Sequence, residues 1–240
     1  MRRFRSLGLF LALMLLCSGC VQSKPAQRQV FAMDTIMSFT AYGKQAEEAL
    51  TQAEAYLHQL EAALSVTREG SEISQVNRAA GEWISVPNSF DILSTAEDLC
   101  GLTGGALDIT AYPAVKAWGF TTGAHRVPDQ AELAELIGRI DHTALELNAE
   151  TQSVRLPEGM ELDLGAVAKG WAGEELAKLL KEAGVESATL SLGGNVQTIG
   201  SKPNGSPWRV GIQDPLSPQG TSCAVVAVED QAVVTSGSYE

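Results

Sequence analysis

The chain has 240 residues and sets 17 Lys and Arg against 29 Asp and Glu, a net charge of −12. A surface of that sign repels nucleic-acid phosphates, so nucleic acid is not among the expected partners. The length allows one substantial core or two small lobes, with no internal repeat or low-complexity segment.

The opening "MRRFRSLGLFLALMLLCSGC" places Arg2, Arg3 and Arg5 before an apolar run from Leu7 to Leu16, too short to cross a bilayer as a lasting helix. It reads as an export signal. Small residues before Cys20 resemble a lipobox, so the expected organisation is a signal peptide over 1–19, a tether over 20–29 lipidated at Cys20, and a folded domain over 30–240. The alternatives are an ordinary cleaved signal or an uncleaved anchor. Loss of the signal leaves 14 Lys and Arg against the same 29 acids, net −15. Any anionic ligand must then be met locally by a metal ion, a helix N-terminus or a lysine. Of the cysteines remaining in the domain, Cys100 and Cys223 fit either one disulfide or two buried thiols, and the thiols are the adopted reading.

"VFAMDTIMSFTAYG", Val30 to Gly43, reads as a strand. Ala46, Leu50, Ala53, Leu57, Leu60 and Leu64 then recur at helical spacing along a long amphipathic helix. "SEISQVN" suggests a helical turn and "GEWISVP" a brief strand. A helix capped at Asn88 or Ser89 runs to Gly104-Gly105. "ALDITAYPAVKAWGF" suggests irregular packed structure, and a short helix follows Asp129. A hairpin over 144–148 and 153–156 leads to a helix whose apolar stripe holds Val167, Trp171, Leu176, Leu179 and Leu180. "SATLSLGGNVQTIGS", "WRVGIQDP" and "SCAVVAVEDQAVVTSGSYE" add strands, giving an α+β fold with sheets built largely from hairpins and flanked by helices. His58, His125 and His142 have no evident partners and read as surface residues.

The chemistry-bearing stretch is "LDLGAVAKGWAGEEL", Leu162 to Leu176. A glycine-containing turn from a strand into a helix presents unpaired N–H groups and the positive end of the helix dipole, which together attract anions. Gly165 allows close approach to the backbone, Lys169 lies near the helix start, and Asp163 suits a ligand hydroxyl, a ring N–H or a cation. The same spacing also fits a plain helix start. The stretch is neither a Walker loop nor a dinucleotide-binding glycine pattern.

"FAMDTIMSF", "SEISQVN", "TGGALDITAYPAVKAWGF", "DLGAVAKGWAGEEL", "LSLGGNVQTIG" and "VVTSGSYE", in this order, resemble the ApbE family of FAD:protein FMN transferases from Val30 to Glu240. The resemblance implies an exported enzyme that splits FAD and moves FMN onto a Thr or Ser hydroxyl of a partner protein with Mg2+. It places FAD against Met33, Ala106, Leu107, Asp108, Asp163 and Lys169, with Thr235, Ser236 and Gly237 near the cleft, and gives magnesium the Ala166 carbonyl. Thr67 aligns where the family often carries a stacking aromatic, and Asp34 stands where glycine is usual. Family members usually continue past "TSGSYE" with a His segment and further magnesium ligands, so the resemblance leaves the catalytic residue unassigned and reads the chain as lacking a C-terminal part. The alternatives are an FAD pyrophosphatase releasing FMN and AMP and a non-catalytic flavin-binding lipoprotein. Localisation is expected on the outer face of the cell membrane or in the periplasm, through the lipid anchor.

Overall fold

The computed structural model describes residues 24–237. Strands β1 (Ala26–Ala32) and β2 (Thr35–Tyr42) form an antiparallel hairpin in register from Ala26 with Ala41 to Ala32 with Thr35. Its two-residue turn, Met33-Asp34, holds both residues at positive φ, 50° and 57°. That handedness matches the strand twist, but it strains a residue with a side chain. The single strand expected over Val30–Gly43 is therefore a hairpin, and the expected tether is strand from Ala26 onward. Hydrophobic alternation missed this extension because polar contacts secure it. Arg28 donates to Glu54 at 2.8 Å and Glu47 at 2.7 Å.

Those glutamates lie on α1 (Ala46–Leu64), whose buried face contains every residue of the predicted stripe. The next turn, α2 (Glu72–Val76), is capped by Ser71, whose hydroxyl accepts the Ser74 N–H at 3.0 Å. Next come β3 (Ile84–Ser85) and α3 (Phe90–Leu102). The stretch expected to be irregular contains α4 (Tyr112–Trp118) instead. Pro113 sits in its first turn, where no intrahelical N–H bond is lost, and Gly119 ends it at φ 80°. Pro113 thus helps to start a helix inside the stretch expected to be irregular.

Helix α5 (Gln130–Ile137) is capped by Asp129, and the short strands β4 (Glu146–Asn148) and β5 (Ser153–Arg155) pair as predicted, with β3 on the other side of β5. Helix α6 (Gly165–Glu182) then leads to β6 (Ser187–Leu192) and β7 (Asn195–Ile199). A second ribbon of β8 (Trp208–Gln213) and β9 (Ser222–Val228) precedes β10 (Ala232–Val234). The principal sheet runs β1-β2-β6-β7-β10 with every neighbour antiparallel. The α+β expectation holds.

Alternate residues of the central strands, Met37, Phe39 and Ala41 on β2 and Ala188, Leu190 and Leu192 on β6, point into one core with Leu50 and Leu57 of α1 and Leu176 and Leu180 of α6. Each such large side chain contributes about 1.5–3 kcal/mol by leaving water. This packing fixes α6, and so its start, against α1 and β7.

Two expectations about single residues fail. Cys100 is fully buried but Cys223 is exposed, because β9 belongs to a two-stranded ribbon exposed along Ser222 to Ala227. Neither forms a disulfide. His142 is not a surface residue: its side chain is only 13% exposed, with Nδ1 3.8 Å from Glu97. The fold of the 140–145 turn onto α3 hides it, which spacing alone does not reveal. His125 is exposed and His58 about half exposed, as expected.

Candidate functional site

Leu162, Asp163 and Gly165 are held before α6 begins. Asn77, at the end of α2, donates to the Leu162 carbonyl at 2.9 Å and accepts the Leu162 N–H at 2.6 Å, acting as a side-chain strand partner. The Asp163 N–H donates to the Ile109 carbonyl at 2.8 Å, and Glu161 bridges to Ala111. One Asp163 carboxylate oxygen accepts the Gly165 N–H at 2.7 Å. It thereby satisfies one of the N–H groups that a helix start leaves over. The turn is thus braced from two sides before the helix carries the chain to Lys169.

This turn forms one wall of a cavity of about 590 Å3, within the usual range for small-molecule sites. Asp163, Leu164, Gly165, Ala168 and Lys169 line that wall, Met33 and Asp34 come from the first hairpin, and Glu61 with Leu64 to Arg68 come from the end of α1 and the loop after it. Phe120 and Thr121 complete it. Glu61 reaches across the cavity rim to accept the Met33 N–H at 2.7 Å, which holds Met33 in its strained conformation.

Among the described residues seven Lys and Arg form ion pairs, while Lys169 and Arg68, like Lys24, Lys44, Arg78, Lys202 and Arg209, form none. These two cations share the lining with the carboxylates of Asp34, Glu61 and Asp163, and are available to an anionic part of a ligand. Apolar Met33, Leu64, Val66 and Phe120 on the same lining suit an aromatic or aliphatic portion of that ligand.

Of the residues singled out in the sequence, Met33, Thr67, Asp163 and Lys169 meet in this cavity. Others stand apart. Ala106, Leu107 and Asp108 follow α3 and are outside the lining. The Asp108 carboxylate is occupied: Oδ1 accepts the Thr110 N–H at 2.8 Å and its hydroxyl at 2.6 Å, and Oδ2 accepts the His142 N–H at 3.0 Å. Ala166 lines a separate apolar depression with Ile92, Leu99 and Trp171, and its carbonyl lies in the helical hydrogen-bond ladder.

Thr235 is one hairpin turn away. Its N–H donates to the Gly194 carbonyl at 3.1 Å, and the preceding Gly193 abuts Thr35, which follows Asp34. A Cβ on Gly193 would lie 2.5 Å from the Thr35 hydroxyl, so only glycine permits this approach. Ser236 and Gly237 are exposed beyond it, and Cys20 lies outside the described residues. Arg68, Glu61 and Phe120 were missed as lining residues. The signal for Phe120 was its place in "KAWGF", and Arg68 is simply the cation beside Thr67.

Among the described residues no group of three His, Cys, Asp or Glu is placed to hold a metal ion. Magnesium would find the partly engaged Asp163 here and Ala166 on another depression, and this set does not fit a six-oxygen shell.

The sequence profile of the ApbE family matches residues 33–240. A curated FAD:protein FMN transferase from Vibrio cholerae is 32% identical, over 95% of this chain and 71% of its own length. One from Klebsiella pneumoniae is 33% identical over 74% of this chain and 55% of its own. The crystal structure of the ApbE protein from Thermotoga maritima superposes with a TM-score of 0.84 at 25% identity, covering 90% of this chain and 72% of that one.

Proposed function

Since the chain belongs to the ApbE family, we propose that it belongs to an FAD:protein FMN transferase, in which the cavity beside α6 takes FAD. The observation that carries this reading is the meeting on one cavity of Lys169 and Arg68, which have no ion-pair partner among the described residues, the start of α6, and the apolar residues Met33 and Phe120. A dinucleotide demands that combination, since its pyrophosphate needs cations and N–H donors while its ring systems need apolar surface.

In the proposed reaction a Thr or Ser hydroxyl of an exported acceptor protein attacks the FMN phosphorus. A phosphoester bond to that oxygen forms, the pyrophosphate P–O bond breaks, AMP leaves, and the hydroxyl proton passes to solvent or to AMP. Phosphoryl transfer of this kind depends mainly on positioning and on neutralising charge. Lys169 and Arg68 would bear on the bridging and non-bridging oxygens, and the start of α6 would add the positive end of its dipole, although its Gly165, Val167 and Ala168 N–H groups are already bonded within the turn. Asp163 would orient a ring N–H or ribose hydroxyl through the oxygen not used by Gly165. Bound magnesium would neutralise further charge, but the described residues do not make its site and no step is assigned to it. Ala106, Leu107, Ser236 and Gly237 remain proposed neighbours of the substrate by family resemblance alone, whereas the Asp108 carboxylate, taken by Thr110 and His142, is read as holding the chain rather than the ligand. Export with lipidation at Cys20 is proposed from the N-terminal sequence alone.

The test is incubation with FAD, magnesium and a panel of acceptor proteins, read as flavin fluorescence that survives denaturing electrophoresis and as AMP release. Fluorescent acceptor with stoichiometric AMP is expected. AMP without labelled protein would replace the transferase by a pyrophosphatase, and tight FAD binding with neither product would leave a flavin-binding lipoprotein.

A further inference from the structure

Phe120 is 64% exposed yet lines the cavity that holds Lys169. Trp118 stacks on it, with ring centroids 6.4 Å apart and planes 16° from parallel. This offset geometry is the favoured one for aromatic pairs. The pair is also rigidly mounted. Gly119, at φ 80°, lets the chain fold back so tightly that a Cβ there would lie 2.2 Å from the Ala124 carbonyl oxygen. The Gly123 N–H closes the turn onto the Gly119 carbonyl at 3.0 Å, and the Arg126 N–H reaches the Trp118 carbonyl at 3.2 Å.

Beneath the pair, α4 is bound to the segment that delivers Asp163. Lys116 donates to both Glu161 carboxylate oxygens at 2.5 and 2.6 Å, and Ala111 bridges Glu161, two residues before Asp163. The aromatic pair and the anion-binding turn are therefore two parts of one braced unit. Thr67, also on the lining, offers no ring.

We propose that Phe120, backed by Trp118, is the stacking platform for a planar heteroaromatic ring of the dinucleotide in this cavity, the role that Thr67 cannot fill. The assignment rests on the FAD reading of the site. Stacking of a base on an aromatic side chain contributes about 1–3 kcal/mol, on the order of 5- to 150-fold in affinity.

Titration calorimetry of the full chain with FAD, FMN and ADP tests this, comparing wild type with Phe120→Ala, Phe120→Tyr and Lys169→Ala. Phe120→Ala is expected to weaken FAD about tenfold and to weaken either FMN or ADP alike, which identifies the stacked ring, while Phe120→Tyr stays within about twofold. In turnover the loss should fall on KM with kcat unchanged, as for an interaction equal in ground and transition states. Wild-type FAD affinity in Phe120→Ala, with affinity lost in Lys169→Ala, would remove the platform and leave the site reading standing. Equal weakening of all three ligands together with a lowered unfolding midpoint would make Phe120 a structural residue. Failure of wild type to bind FAD would end both.

Discussion

The family resemblance placed two carboxylates, Asp108 and Asp163, against FAD, and the fold treats them differently. Around Asp108 the carboxylate is fully engaged: it accepts three hydrogen bonds from Thr110 and His142, and the Thr110 hydroxyl in turn accepts the Asp141 N–H at 2.9 Å. Around Asp163 the carboxylate is only partly engaged, Lys169 and Arg68 lack ion-pair partners among the described residues, and a cavity opens between them. A polar cluster that satisfies itself holds the chain together, whereas one left unsatisfied beside open space is available to a ligand.

The contrast breaks most readily at Asp108. Asp108→Ala would strand two N–H groups and a hydroxyl, at about 1–3 kcal/mol for each group that stays buried, so a loss on the order of 3 kcal/mol in denaturant unfolding is expected. FAD affinity of the folded protein should change less than about twofold. A large affinity loss without destabilisation would instead move Asp108 to the binding wall. Lys169→Ala is the mirror case: FAD affinity should fall about tenfold, roughly 1.4 kcal/mol, while unfolding free energy stays within about 0.5 kcal/mol because no described partner is lost. Unchanged affinity would return Lys169 to an ordinary solvated lysine.

The smallest expected effect is on acid stability. The Thr143 hydroxyl and N–H hold the Asp141 carboxyl below its ordinary value, and the Gly200 N–H, then Lys181, do the same for Asp230. A folded carboxyl depressed in this way contributes stability that is present above its unfolded value and lost as pH falls through its folded value. The thermal midpoint should therefore be flat near neutrality and decline only below the ordinary carboxylate range, with Asp230→Asn flattening part of that decline. A midpoint that fell on the alkaline side instead would contradict the assignment.

Long periodic elements are legible in the residue pattern itself. The stripe from Ala46 to Leu64 is the buried face of α1, and Leu176 and Leu180 mark the buried side of α6. Turns that depend on polar or proline chemistry are not. Met33-Asp34 carries no glycine to announce a two-residue turn, Arg28 secures β1 through residues nearly twenty or more positions away, and Pro113 starts a helix. Within the site, Asp163 and Lys169 share one short motif, so sequence proximity sufficed. Phe120 and Arg68 come from other parts of the chain and carry no local signal that they line the same space.

Taken alone, the sequence determined the α+β class, the two long helices and the helix start with its lysine, because periodicity and the unpaired backbone groups of a helix start are local. It did not determine that only an isolated bridge at Glu161 precedes that helix in place of the expected strand. Tertiary structure alone decided that Asp108 is spent internally, that Cys223 is exposed and His142 covered, and that Phe120 shares a cavity with Lys169. Each of these depends on which distant residue completes a hydrogen bond or covers a surface, and that is settled only when the helices pack against the sheet.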